Sequence, residues 1–412
     1  MNIFPWAKIY IPPLDFSLPP LKLSTAQGEK VFTEETFTMY VCGITPYDST
    51  HLGHAATYLT FDLINRYQRA SGKSVSFVEN VTDIDEPLLE RATRDGVDWK
   101  DLALNQVQLF QGDMAALHVI PPQFFVPATS VMGLVDQAIT KMTSAGFVYS
   151  VDNDLYFDVS SFLKDLPIPY DEALSIFAER GGDPLREGKR DPLDPVLWIA
   201  NRNDEPGWES SHGFGRPGWH IECCVISLRY LLGESFLSES KGEYLIDLQG
   251  GGSDLIFPHH FMSGAQAQAM LGISFARAYV HSGMIGLDGE KMSKSKGNLV
   301  FVSRLVADGV DPMAIRYALM LQRYSEDRMW TNELLEKAQS ALARIRLNLS
   351  KSEVAPAHTL ISQLASSLSS DLDTPEALKA IERWCYESEE NPTVDEAGVV
   401  SRALDSLLGL AL

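Results

Sequence analysis

The segment THLGH, residues 50–54, sets His51 and His54 three positions apart with a glycine between them, ahead of a run that reads as helix. Two imidazoles at a helix N-terminus suit an anion, because they add hydrogen-bond donors where backbone N–H groups already point outward. Far downstream, GLDGEKMSKSKGN sets Lys291, Lys294 and Lys296 among small residues with glycines on both sides. This makes a mobile cationic loop suited to gripping phosphates and releasing pyrophosphate. A third group mixes sulfur and nitrogen: Cys42, the neighbours Cys223 and Cys224 in GWHIECC, and the neighbours His259 and His260 in FPHH. Two cysteines and one histidine from separate segments are good zinc ligands, the plain alternative being small core residues and ordinary loop donors. Spacing leaves both neighbour pairs open. If 218–226 is helical, Trp219 and Cys223 share one face, and His220 with Cys224 the next.

These groups need elements to carry them. FTMYVC (37–42) alternates as a strand, and GITPYDST supplies turn chemistry. From His54, apolar residues recur at Leu59, Leu63, Tyr67 and Ala70, a helical spacing that stops at Gly72. SVSFVENV (74–81) returns as strand, which completes a βαβ unit whose ligand site lies at the carboxyl ends of its strands. THLGH falls at that end of the first strand. Residues 87–150 read as mostly helical. The loop-rich stretch 151–215, with FAERGGDPLREGKRDPLDP, combines glycine, proline and charge and reads as an insertion. Strand signals resume at YLIDLQ (244–249) and FARAYVHSGMI (275–285). Beyond about 302 the chain is helical, with a stripe at Leu335, Ala338, Leu342, Ile345 and Leu349 and amphipathic runs at 359–370, 374–388 and 395–410. The organisation is therefore an extended arm over 1–36, an α/β Rossmann-type domain over 37–301 with an insertion at about 113–215, and a helical domain over 302–412.

With 412 residues, 45% of them hydrophobic, the chain can bury a large core. No stretch reaches the roughly 18 apolar residues that crossing a bilayer needs, so a cytoplasmic location is the expectation. Four cysteines are too sparse for a disulfide framework. A formal charge of −21 repels phosphate backbones at long range and counts against a nucleic-acid partner.

A histidine pair of the form HxGH opening a βαβ fold, followed far downstream by KMSKS, resembles the class I aminoacyl-tRNA synthetases and their relatives. The resemblance implies a nucleotide-binding domain that joins an amino acid to ATP, giving an aminoacyl-adenylate and pyrophosphate. His51 and His54 would donate to the charge developing on phosphate, and Lys294, with Lys291 in the same loop, would steady the leaving pyrophosphate. Cys42, GWHIEC and FPHH are similar to motifs of cysteinyl-tRNA synthetases, which implies zinc on Cys42, Cys223 and His259 with Trp219 beside the amino acid. Three features depart from those synthetases. Ser263 stands where their fourth ligand falls, ERGGDP (179–184) appears in the insertion, and the chain given leaves little room for an anticodon-binding domain.

All three departures match the mycothiol ligases, a related family, and CGITPYDSTHLGHAATYLTFD, ERGGDP, GWHIEC, GGGSDLIFPHH and MIGLDGEKMSKSKGN resemble it almost end to end. Phe261 stands where both groups tend to carry glutamate. The family implies an ATP-dependent, amide-forming ligase that couples L-cysteine to the 2-amino group of glucosaminyl-inositol through cysteinyl-AMP, releasing AMP and pyrophosphate. It implies one Zn2+, and Mg2+ accompanying ATP. It places the cysteinyl-adenylate along Cys42, Gly43, Ile44, Thr45, Thr57, Asn80, Val81, Thr82, Trp219, Gly252, Ser253, Asp254 and Ile285. Arg180 and Asp183 would face the second substrate. The implied partners are small molecules, with no nucleic acid, no membrane and a monomeric chain. A truncated cysteinyl-tRNA synthetase, for which DLDTPEAL (371–378) speaks, and a non-catalytic zinc- or adenylate-binding regulator are the competing readings.

Overall fold

The structure is a computed structural model that describes residues 3–412 except 48–49, 203–204, 239–241, 288 and 293–296, and describes Lys291 by its backbone alone. An N-terminal hairpin, β1 (Leu21–Thr25) and β2 (Gly28–Phe32), leads to β3 (Thr36–Ile44), α1 (Leu52–Ala70) and β4 (Ser74–Val81). Then come α2 (Glu86–Asp95), α3 (Trp99–Ala116), β5 (Phe124–Pro127) and α4 (Met132–Ser144). An inserted antiparallel sheet follows, β6 (Val148–Val151), β7 (Asp154–Phe157), β8 (Val196–Ala200) and β9 (Gly215–Pro217), with α5 (Tyr170–Glu179) between its middle strands. The chain returns through α6 (Trp219–Leu232), β10 (Tyr244–Gly252), α7 (Phe261–Leu271) and β11 (Ser274–Ser282).

The central sheet is parallel in the order β11-β10-β3-β4-β5. Both faces are covered, as parallel sheets require. Along β3 the side chains split by period two: Phe37, Met39 and Val41 join the core shared with α1, while Tyr40 and Cys42 join the core beneath α4, α6 and α7. Strand order reverses between β3 and β10, and the crevice outside their carboxyl ends is where such sheets bind ligands. The fold class read from the sequence is thus observed. β5 lies within the stretch marked as insertion yet pairs with β4, and the separate sheet starts at β6.

Beyond β12 (Ile285–Leu287) and β13 (Glu290–Lys291) the chain is mainly helical, with α8 (Val302–Ala307), α9 (Pro312–Met320), β14 (Arg328–Trp330), α10 (Asn332–Leu349), α11 (Ala357–Ser369), α12 (Thr374–Glu390) and α13 (Ala397–Leu408). Ala338, Leu342 and Ile345 of the α10 stripe are buried in the α1-side core, with Leu335 and Leu349 packed at its edge. Thr331 caps α10 by accepting from the Leu334 N–H at 3.2 Å. Thr331→Ala should therefore lower stability by about 1 kcal/mol in urea unfolding, with the slope unchanged.

A buried ion cluster joins α1 to these helices. Asp62 takes Arg66 at 2.7 Å and also Arg316, and all three side chains are inaccessible to solvent. Its other oxygen accepts from the Ile120 N–H at 2.8 Å. Arg66 also donates to the carbonyls of His118 and Asp405, both at 2.6 Å, and Arg316 to those of Leu117 at 2.8 Å and Leu408 at 2.7 Å. Burial opposes ionisation of Asp62, but the two guanidinium groups outweigh it and hold the carboxyl below its ordinary range. The helix that carries His54 is thereby tied to the last carbonyls of α13.

Candidate metal and nucleotide site

A cavity of about 800 Å³ opens outside the carboxyl ends of β3 and β10. It has room for more than one small substrate. His51 caps α1, its Nδ1 accepting from the Gly53 N–H at 3.1 Å, and its ring stacks on that of His54 with centroids 4.0 Å apart. The turn before α1 is pinned from both sides. Leu52 donates to the Val300 carbonyl at 2.9 Å and Val302 to that of Thr50 at 3.3 Å, so the segment after KMSKS is bridged to the histidine pair. Asp113 of α3 bonds the Thr50 side chain, and burial pushes its carboxyl up to about 7 against that bond. Both histidines line the cavity. Lys294 lies outside the described residues, as does the side chain of Lys291.

The floor is set by the end of β3. Gly43 passes so close to β4 that a Cβ there would lie 1.7 Å from the Asn80 carbonyl oxygen. The Asn80 side chain holds this approach, its Oδ1 accepting from the Gly43 N–H and the Tyr40 hydroxyl, both at 2.8 Å, and its Nδ2 donating to Thr82 at 3.0 Å. Gly43, Ile44, Thr45, Thr57, Asn80, Thr82, Trp219, Gly252 and Asp254 all face the cavity. Val81, Ser253 and Ile285 lie outside its lining, with Val81 and Ile285 buried in the α1-side core.

Among the described residues, Cys42, Cys223 and His259 bring one ligand atom each to within 4.8 Å of one another, close enough to hold a metal ion. All three are buried. The neighbour pairs are separated by what surrounds them: Cys224 falls outside the group, and His260 instead places Nε2 3.3 Å from the Cys42 sulfur while its Nδ1 meets His281 at 2.8 Å. The set fits a cation. Nε2 of His259 is buried without a hydrogen-bond partner, and its Nδ1 lies 2.9 Å from Nδ1 of His220. Burial first, then His220, holds His259 neutral, and burial pushes His220 down to about 3. If the proton between the two rings sits on His259, Nε2 has its lone pair free for a metal, an arrangement of supporting ring and ligand common in metal sites. Burial, followed by the neighbouring Cys42, raises the Cys223 thiol when no cation is near; a coordinated ion reverses that logic. Two sulfurs and one imidazole suit zinc. Gln249 donates to the Cys42 sulfur at 3.3 Å, and the Trp219 ring stacks on His259 at 4.1 Å. His220, Gln249 and His281 carry no mark in the sequence of their place beside the ligands, whereas the double histidine of FPHH does mark a second ring, His260, next to the group.

The ERGGDP turn closes the far wall. Gly181 adopts φ of +82°, open to glycine, and a Cβ on Gly182 would enter the Phe177 ring. Arg180 and Asp183 both reach the cavity, but each is engaged within the protein. The Arg180 guanidinium donates to the carbonyls of Asp254 and Phe257, while Asp183 accepts from Tyr156 at 2.5 Å and Lys189 at 2.9 Å.

The family profile described as tRNA synthetases class I (C) catalytic domain matches residues 29–340. An L-cysteine:1D-myo-inositol 2-amino-2-deoxy-alpha-D-glucopyranoside ligase of Nocardia farcinica is 49% identical over 99% of each chain. One of the same name from Saccharomonospora viridis is 50% identical with the same coverage. Among solved structures, Mycobacterium tuberculosis methionyl-tRNA synthetase in complex with methionyl-adenylate overlays with a TM-score of 0.66, covering 91% of this chain and 92% of that one at 17% identity. That likeness speaks for the fold. No helix among the described residues is long and apolar enough to cross a membrane.

Proposed function

The chain belongs to the class I (C) synthetase family and, within it, to the L-cysteine:1D-myo-inositol 2-amino-2-deoxy-alpha-D-glucopyranoside ligases, and from this we propose that it joins L-cysteine to the 2-amino group of glucosaminyl-inositol with ATP. The observation that carries the reading is a single cavity with a metal-competent Cys42, Cys223 and His259 floor on one side of β3's end and the His51–His54 stack on the other. A substrate held at both points spans from thiol to phosphate.

In the first step the cysteine carboxylate oxygen attacks the α-phosphorus of magnesium-bound ATP, and the bond to pyrophosphate breaks. His51 and His54 donate to the phosphate oxygens as charge builds on them, and Lys291 and Lys294 steady the leaving group. Cys42, Cys223 and His259 would hold a zinc ion, which would supply affinity for a thiolate over an alcohol and so favour cysteine over serine. Thr45, Thr57, Thr82 and Asp254 fix the adenylate by hydrogen bonds, and Trp219 walls the amino-acid end. In the second step the sugar amine attacks the adenylate carbonyl and loses a proton, the bond to phosphate oxygen breaks, and AMP leaves. The enzyme acts on small molecules as a cytoplasmic monomer without nucleic acid.

AMP formation by the zinc-loaded protein from ATP and cysteine, with glucosaminyl-inositol, tRNA or no acceptor in parallel, tests this. Stimulation by the amino sugar alone, with an amide of the expected mass, is the expected result. Stimulation by tRNA alone would overturn it in favour of a short synthetase, and absence of cysteine-dependent pyrophosphate exchange would point to a non-catalytic relative.

A further inference from the structure

The adenylate accounts for the nucleotide end and the floor of the cavity, but the cavity continues past Trp219 toward the inserted sheet. There it is bounded by Asp154, Asp183, Arg186, Val196, Ile199 and Arg202. Asp154 is 2% exposed and organises this end. Its Oδ1 accepts from the Ala200 N–H at 2.8 Å, and its Oδ2 takes Arg186 at 2.5 Å and Arg202 at 2.6 Å. Arg186 is consumed as a brace, donating also to Tyr156 at 2.8 Å and Asp152 at 3.2 Å. Arg202 differs. Its side chain is 53% exposed, and among the described residues no second acceptor takes its remaining N–H groups.

The charges decide what kind of ligand belongs here. Arg186, Lys189 and Arg202 face Asp152, Asp154 and Asp183, three cations against three carboxylates within one linked network. A subsite for phosphate or a nucleic-acid backbone needs surplus positive charge. A balanced one offers donors and acceptors side by side, with Val196 and Ile199 as apolar wall, and this matches a neutral ring whose hydroxyls do both while its C–H edges shed water. Geometry decides which ring. The acceptor's amine must reach the carbonyl carbon over the floor, so the ring bearing it sits by Trp219 and the ring it is joined to extends toward Arg202.

We propose that Arg202 and Asp183, with Val196 and Ile199 and braced by Asp154 and Arg186, form a polyol subsite that holds the acceptor ring remote from the amine. This rests on the proposed function above. Arg202, fixed at one end by Asp154, is its specificity residue, and Arg180 and Lys189 position its walls. The subsite adds binding energy without touching the reacting atoms.

The test compares glucosaminyl-inositol with glucosamine, which lacks the remote ring, in amide formation by full-length zinc-loaded wild type, Arg202→Ala and Arg202→Lys. The ratio of kcat/KM for the larger acceptor over the smaller should fall about tenfold in Arg202→Ala, through KM, as expected for one lost charge-assisted hydrogen bond. Arg202→Lys should retain part of the ratio. A ratio equal to that of wild type in Arg202→Ala, or a loss shared equally by both acceptors, would overturn the subsite while leaving the ligase standing. Wild type that uses neither acceptor would overturn the proposed function and the subsite with it.

Discussion

Cys223→Ala should leave the purified protein essentially free of bound zinc and lower cysteine-dependent ATP–pyrophosphate exchange by roughly 10³-fold, the size expected when several kcal/mol of interaction with the reacting substrate are removed. His259→Ala should do the same. Both substitutions delete one of three donors in a buried pocket, and the two that remain cannot complete a tetrahedral site. Cys224→Ala is the informative control, because its sulfur falls outside the ligand group although it is the next residue on α6. Metal content by mass spectrometry and exchange rates, measured on the three variants together, decide the assignment. Zinc retained at one per chain in Cys223→Ala, or lost in Cys224→Ala, would reassign the ligand.

Asp62→Ala should destabilise the protein by roughly 3–5 kcal/mol, because it leaves Arg66 and Arg316 buried without their shared carboxylate. Most single substitutions cost far less. The Asp405 carboxylate stays 3.6 Å from Arg66, and the carbonyls of His118, Asp405, Leu117 and Leu408 still accept from the guanidinium groups, but Arg316 is left with carbonyl dipoles as its direct partners, and these do not neutralise a charge in an apolar core. Urea unfolding monitored by fluorescence gives the difference, and a midpoint within experimental error of wild type would show that the cluster is not what fastens α1 to the C-terminal helices. Since multi-unit proteins need not unfold in one step, coincidence of two probes should be checked first.

Much of this was legible in the sequence wherever a signal was local. The alternation of FTMYVC, the glycine-containing turn and the helical spacing from Leu59 to Ala70 suffice to place the histidine pair at the mouth of a parallel sheet, and the structure has that arrangement. The α10 stripe likewise shows which face is buried. What was not legible is tertiary. Cys223 and Cys224, or His259 and His260, differ by one residue; spacing leaves them open, the family resemblance implies Cys223 and His259, and the packing of α6 and the 256–260 turn against β3 brings that pair to Cys42. FFVP is too short and too uniform to show a strand period, so β5 disappeared into the inserted stretch. Asp62 and Arg66 have visible i,i+4 spacing, but Arg316 is supplied from far along the chain and carries no sequence mark of its partner. His220 and Gln249 are invisible for the same reason, since their value lies in which atom they face.

The Arg180 guanidinium grips two carbonyls that belong to different parts of the site, Asp254 on the nucleotide side and Phe257 beside the metal floor. The insertion and the catalytic sheet therefore share one fastener. A ligand that shifts the 253–257 turn shifts both acceptors of that guanidinium, and the ERGGDP wall moves with them. Thermodynamic reciprocity then applies: whatever factor the adenylate adds to acceptor affinity, the acceptor must return to the adenylate. A reactive intermediate held more tightly when its partner is in place is also one that escapes less often, so under the proposed function the contact that shapes the wall would also limit the loss of activated cysteine to solvent.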